Sequence, residues 1–160
     1  MKLHLSGEIS YEMFNELIKN FNCLEGEETL HIYFTSTGGL VDVTIAMVDF
    51  INSNKDKMVI TFYGELFSSG MTIFLASQCP KTILTDTRGM YHYAYQDMAI
   101  NEAGKLNGDY DIFTMKEMKK SKEKTLKFLK ETKLTDKEIS LIRKGKDVYF
   151  SHERMLEIIN

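Results

Sequence analysis

Proline occurs once in this chain, cysteine twice and tryptophan not at all. One proline excludes a Pro-rich linker or a low-complexity tail. Cys23 and Cys79 lie far apart and outside any metal-ligand spacing. Two free buried thiols in a reducing compartment suit them better than a disulfide framework. There is no run of about 20 apolar residues, so no membrane span is expected. Met1 to Gly7 alternates Leu3 and Leu5 with polar residues and lacks the apolar core of a signal peptide. An excess of one charge is lacking too. Twenty Lys and Arg stand against 23 Asp and Glu, a net charge of −3. That balance calls for neither nucleic acid nor an anionic membrane as partner. The expectation is a soluble cytoplasmic protein without metal or cofactor.

An apolar content of 43% over 160 residues suits one domain spanning 1–160. Residues 2–5 read as a short strand. Ser10 can cap a helix whose apolar face is Phe14, Leu17, Ile18 and Phe21. Leu30 to Thr35 reads as a strand bounded by Ser36-Thr37-Gly38-Gly39. Helical spacing resumes at Val41, Ile45, Val48 and Ile51. Lys57 to Tyr63 is rich in β formers, and Gly64 is expected to end it. Ser68 to Ser77 is nearly all small or apolar and reads as a buried helix. Thr82 to Thr85 and Gly89 to Tyr95 follow as strands. Strands alternating with helices predict an α/β fold with a mostly parallel sheet flanked by helices. In such sheets, sites form where the C-terminal ends of strands lead into helices.

The second half differs. A helix of about 24 residues is expected after Asn107-Gly108, with Ile112, Met115 and Met118 on its apolar face. Lys119 to Thr125 then contains no apolar residue, as if the helix left the body of the domain there. Thr135-x-x-Glu138 is a capping box. A short link carrying Asp147 leads to a last helix capped by Ser151.

Four features could carry chemistry. Gly38-Gly39 allows a sharp turn and exposed N–H groups, which can bind an oxyanion. Ser68 at the start of a buried helix sets a hydroxyl beside free helix N–H groups. His92 could act as a base and Asp147 as an acid. Read alone, each has a plainer explanation: a turn, a helix cap, a strand histidine, an acid in a loop. The spacing around Ser68 also differs from the G-x-S-x-G elbow of α/β-hydrolases. The residues matter only as a set, because a serine needs a base and the base needs an orienting carboxylate.

As a set, they resemble the proteolytic subunit of the Clp protease. Phe34-Thr35-Ser36-Thr37-Gly38-Gly39 is similar to that family's strand ending in Asn-Ser-Pro-Gly-Gly. Gly64-Glu65-Leu66-Phe67-Ser68-Ser69-Gly70 resembles its Gly-Gln-Ala-Ala-Ser-Met-Gly. Arg88-Gly89-Met90-Tyr91-His92 resembles Ser-Arg-x-Met-Ile-His, and Lys146-Asp147-Val148-Tyr149-Phe150-Ser151 resembles Arg-Asp-x-Phe-Leu-Ser. The resemblance runs from about Leu3 to Ile159. It implies a ClpP/crotonase-like fold of repeated β-β-α units with a protruding handle helix, about 108–133. It implies a serine endopeptidase with Ser68 as nucleophile, His92 as base and Asp147 as acid. The oxyanion hole would come from the N–H groups of Gly39 and Ser69. Peptides or unfolded proteins would be substrates, and a ring-like homo-oligomer the assembly. The resemblance starts almost at the first core strand, without the family's axial N-terminal segment, which leaves an AAA+ unfoldase partner open. Thr37 replaces the usual proline, and Leu66-Phe67 replaces two small residues beside the nucleophile. Those departures keep two other readings in view: an inactive subunit co-assembling with an active paralogue, and an acyl-CoA enzyme of crotonase architecture.

Overall fold

A computed structural model describes residues 1–92, 120 and 123–160. Three strand–helix units open the chain: β1 (Lys2–Ile9) and α1 (Tyr11–Asn22), β2 (Leu30–Gly39) and α2 (Val41–Ser53), β3 (Met58–Phe67) and α3 (Ser69–Ala76). Two short strands follow, β4 (Lys81–Ile83) and β5 (Arg88–Tyr91). After them come α4 (Asp136–Arg143), β6 (Val148–Phe150) and α5 (His152–Ile159). Residues 123–130 are helical. The rest of the expected handle, and the continuation of the fifth strand through Tyr95, lie outside the described residues.

The strands form one sheet in the order β1-β2-β3-β5-β6, with β4 also on β3. All pairings are parallel except the last, β5 with β6. The expected mostly parallel, helix-flanked sheet is therefore present.

β3 is the pivot. Its first half pairs Ile60–Phe62 with β4, and its second half pairs Glu65–Phe67 with β5. Gly64 lies between the halves at φ 64, a left-handed conformation. The strand was expected to end at this glycine. It bulges there instead and runs on to Phe67, because glycine takes the left-handed conformation without a Cβ clash.

Alternation along the strands buries one set of side chains. Leu30, Ile32 and Phe34 of β2 and Met58, Ile60 and Phe62 of β3 are within 1% of full burial. Phe62 joins Phe34 and Phe74 edge-to-face, with centroids 5.8 and 5.2 Å apart. Each such side chain contributes on the order of 2 kcal/mol by leaving water. α1 begins as expected, with Ser10 Oγ accepting from the Met13 N–H. α2 departs from expectation. It buries Val43, Thr44, Met47 and Ile51, leaving Val41 and Ile45 exposed. The helix is apolar on more than one side, so spacing alone could not orient it. Among the described residues, no helix is long and apolar enough to cross a membrane.

The C-terminal elements are fastened by one guanidinium. The Thr135 capping box opens α4. Arg154 of α5 grips its Glu138 in a two-point fork, Nε to Oε1 at 2.8 Å and Nη2 to Oε2 at 2.9 Å. Burial works against the Glu138 charge. The Arg154 fork and the Thr135 donors outweigh it and hold the carboxyl below its usual range. A depressed folded-state pKa adds stability above the unfolded value, about 4.3, and that stability is lost as pH falls through the folded value. Urea midpoints measured at neutral pH and at about pH 3 should therefore fall less steeply for Glu138→Gln than for wild type. Equal slopes would show that the pair carries none of the acid sensitivity.

Candidate active site

Strand register assembles the site. β3 pairs Phe67 with Met90 of β5, so the residue after each strand emerges at one sheet edge. The Ser68 N–H continues the ladder by donating to the Met90 carbonyl at 2.8 Å. β6 runs antiparallel and pairs Val148 with Tyr91. Its start therefore lies at the edge where the parallel strands end. His92, one residue past Tyr91, meets Asp147, one residue before Val148. Residues far apart in the chain converge because β3 and β5 end, and β6 begins, at one edge of the sheet.

The distances agree with that register. His92 Nε2 lies 2.7 Å from Ser68 Oγ. His92 Nδ1 lies 3.6 Å from Asp147 Oδ1. The side chains of His92 and Asp147 are 29% and 48% exposed, so the second arm is longer and opens to solvent. All three residues singled out in the sequence thus come together in the order Ser–His–Asp.

Ser68 holds an unusual backbone. Its φ is 53 and ψ −118, a region that favours glycine. It stands at the N-cap of α3 yet makes no side-chain cap hydrogen bond. The hydroxyl is turned to His92 instead.

The glycine turn at the end of β2 closes against it. A Cβ on Gly38 would sit 2.9 Å from Ser68 Cβ, and one on Gly39 would sit 2.3 Å from the Ile9 carbonyl oxygen. Both positions need glycine on contact grounds, and both have positive φ, 116 and 149. The Gly38 N–H is already engaged, donating to Ser36 Oγ at 3.1 Å. The Leu40 N–H points to β1 and donates to the Ile9 carbonyl at 3.0 Å. The Gly39 N–H shares a planar peptide with the Gly38 carbonyl, which accepts from Ser36 Oγ at 3.2 Å, so it points away from that hydroxyl. Of the two glycines, Gly38 therefore has its N–H committed to Ser36. The Ser69 N–H opens α3, where helical N–H groups have no intrahelical acceptor.

Sequence reading missed two hydroxyls. Buried Ser36 both accepts from the Gly38 N–H and donates to its carbonyl, at 3.1 and 3.2 Å. Ser69 Oγ donates to the Gly39 carbonyl at 3.2 Å. The inward parity of Ser36, two residues after Phe34, was the available signal. Nothing in the sequence flagged the Ser69 hydroxyl. At the far end of α3, the Lys81 ammonium donates to the Phe74 and Ser77 carbonyls, and burial pushes its pKa down. Among the described residues, no three His, Cys, Asp or Glu side chains cluster as a metal site would require.

The family model for the Clp protease matches residues 1–155. The fold is similar to the ClpP protease catalytic domain from Plasmodium falciparum, with a TM-score of 0.71 and 20% identity, covering 98% of this chain and 80% of that one. It is also similar to a ClpP1 point mutant from Listeria monocytogenes, with a TM-score of 0.70 and 23% identity, covering 98% and 86%. At these identities the likeness is one of fold. No curated protein is matched.

Two substitutions test the backbone at the site. Ser68→Gly and Ser68→Ala both remove the hydroxyl, but only glycine relieves the positive φ. Ser68→Gly should be the more stable in urea by about 1 kcal/mol, after glycine's greater unfolded-state freedom is subtracted. Gly39→Ala presses a methyl group onto the main chain of Ile9. It should cost on the order of 3 kcal/mol, read as a fall in melting temperature.

Proposed function

We propose that this chain, which belongs to the Clp protease family, hydrolyses peptide bonds as a serine endopeptidase. The observation that carries this reading is the pair of contacts on His92: Ser68 Oγ at 2.7 Å from one ring nitrogen and Asp147 Oδ1 at 3.6 Å from the other. Ser68 Oγ attacks the scissile carbonyl carbon as its proton passes to His92 Nε2. Asp147, beside Nδ1, fixes the tautomer and stabilises the imidazolium. The carbonyl oxygen becomes an oxyanion, which the Gly39 and Ser69 N–H groups receive. Aiming such donors at developing charge is typically worth about 3 kcal/mol each. His92 then returns its proton to the leaving amine and leaves an acyl-Ser68. A water, deprotonated by His92, releases the second product.

The substrate is an extended peptide or unfolded protein segment, and the chain acts within a homo-oligomer. Self-association is supported by apolar side chains left uncovered on and beside α2, where Leu40, Val41 and Ile45 are each more than 40% exposed. Residues 1–160 act as one domain that carries the three side chains.

A fluorophosphonate probe tests the chemistry. Mass spectrometry should find the adduct on Ser68, and Ser68→Ala should abolish it. Absence of an adduct on the purified wild type would favour an inactive co-assembling subunit, and an adduct retained in Ser68→Ala would remove Ser68 from the mechanism. Asp147→Asn should keep the fold and lower kcat about 100-fold or more, since the ring loses its orienting charge. A kcat unchanged in that variant would leave His92 without an acid partner.

A further inference from the structure

Ser36 is 2% exposed and has no part in the triad or in the oxyanion pair. Its hydroxyl is nevertheless committed twice, both times to one residue. Ser36 Oγ accepts from the Gly38 N–H at 3.1 Å and donates to the Gly38 carbonyl at 3.2 Å. Those two groups stand on either side of the Gly38 Cα, in successive peptides. Tied to one oxygen, they hold both torsions of a residue at φ 116, which has no Cβ to restrict them. The first turn of α3 lies directly on Ser36: a Cβ on Gly70 would sit 3.2 Å from Ser36 Cβ and 2.6 Å from its carbonyl oxygen.

The Gly38 carbonyl belongs to the peptide that also carries the Gly39 N–H. In a planar trans peptide the two point in opposite directions. Holding the carbonyl therefore sets the direction of the N–H. The hold matters because this peptide turns about ψ of Gly38 and φ of Gly39, and neither residue has a Cβ to resist the turn. Its two neighbours are held as well. In the peptide before, the Gly38 N–H is bonded to Ser36. In the peptide after, the Leu40 N–H donates to the Ile9 carbonyl at 3.0 Å and the Gly39 carbonyl accepts from Ser69 Oγ at 3.2 Å. A peptide between two held ones can swivel about its own long axis without moving the chain on either side. The pairing of Ile9 with Gly39 steadies it along the strand, and Ser36 grips its carbonyl.

We infer that Ser36 is a positioning residue: its hydroxyl locks the peptide between Gly38 and Gly39 and so fixes the direction in which the Gly39 N–H meets the oxyanion of acyl transfer. The inference rests on the peptidase reading above, which assigns that N–H to the oxyanion. The two glycines then divide the work. The Gly38 N–H orients the hydroxyl, and the Gly39 N–H is left for the substrate. A hydroxyl suits the task because it accepts and donates at once. Preorganised donors act without reorganising as the charge appears, so loosening one reduces transition-state binding more than ground-state binding.

The test uses the full chain, a fluorogenic peptide and a peptide boronate, which forms a tetrahedral adduct on the serine. Ser36→Ala removes both hydrogen bonds, and Ser36→Cys keeps nearly the same volume with a much weaker donor and acceptor. Ile51→Val, at the end of α2 remote from Gly39, thins the core and is the control for lost stability. Rates are taken per active site, counted by the fluorophosphonate adduct. Both Ser36 variants should lower kcat about ten-fold, the scale expected for loss of one neutral orienting hydrogen bond. KM should stay within two-fold, and boronate affinity should fall by about the factor lost in kcat. Ile51→Val should lower the melting temperature and leave kcat and boronate affinity at wild type. If Ser36→Ala does not fold, Ser36→Cys decides by the same readings. Wild-type kcat in both Ser36 variants would overturn the inference while leaving the peptidase reading intact. So would wild-type kcat in Ser36→Cys with a loss only in Ser36→Ala, which would mean that Ser36 merely fills space. A kcat loss matched by a rise in KM, or unaccompanied by a loss of boronate affinity, would overturn it as well, and so would an equal loss in Ile51→Val. A wild type that neither cleaves peptide nor takes the fluorophosphonate would fail the peptidase reading itself, and the inference with it.

Discussion

The ladder that joins β3 to β5 and β5 to β6 is the constraint on which the site depends. Its registers, Phe67 with Met90 and Tyr91 with Val148, set three chain segments at one edge of the sheet. A slip of one residue in either pairing would turn every side chain of that strand to the opposite face. His92 would then leave both Ser68 and Asp147. The bulge at Gly64 makes the first pairing possible. It lets one strand serve β4 with its first half and β5 with its second. The antiparallel sense of β6 makes the second possible, since only a reversed strand begins where the others end.

Around that ladder the site is made mostly of main chain. Ser68 carries backbone strain, and its hydroxyl faces His92 instead of capping α3. Ser36 holds Gly38 by both of its polar main-chain atoms. Gly38 in turn lies against Ser68 closely enough to exclude any side chain. Strain of this kind persists only where the surroundings over-determine it. Here they do so through the Met90 carbonyl on the Ser68 N–H and the edge-to-face packing of Phe74 of α3 on Phe62 of β3. The Arg154 fork plays the matching role for the acid. It ties α4 to α5, the two helices that flank the link carrying Asp147.

Much of this was legible before any coordinates. Alternation and spacing gave the order of strands and helices and the mostly parallel sheet. Ser68, His92 and Asp147 were legible as a set through flanking motifs, though none stood out alone. Three things were not legible, each for a physical reason. The face of α2 was misjudged because Val41 and Ile45 are as apolar as the residues it buries. Gly64 reads as a strand end in sequence because glycine marks a terminus and a bulge alike. The Ser36 and Ser69 hydroxyls went unnoticed because their partners are main-chain atoms, and backbone acceptors carry no sequence signature.

The missing cap on α3 has a wider meaning. A serine at a helix start ordinarily closes off the first N–H groups, and here it does not. The helix therefore begins without a side-chain acceptor from its N-cap residue, and the fold forgoes the roughly 1 kcal/mol that a capped start would add. Whatever negative charge arrives at that spot supplies what the sequence withholds. Occupancy and stability are thereby linked, since a ligand that binds only the folded chain lends its binding free energy to the whole domain. The same open helix start that would receive an anion thus ties the stability of the domain to what occupies the site.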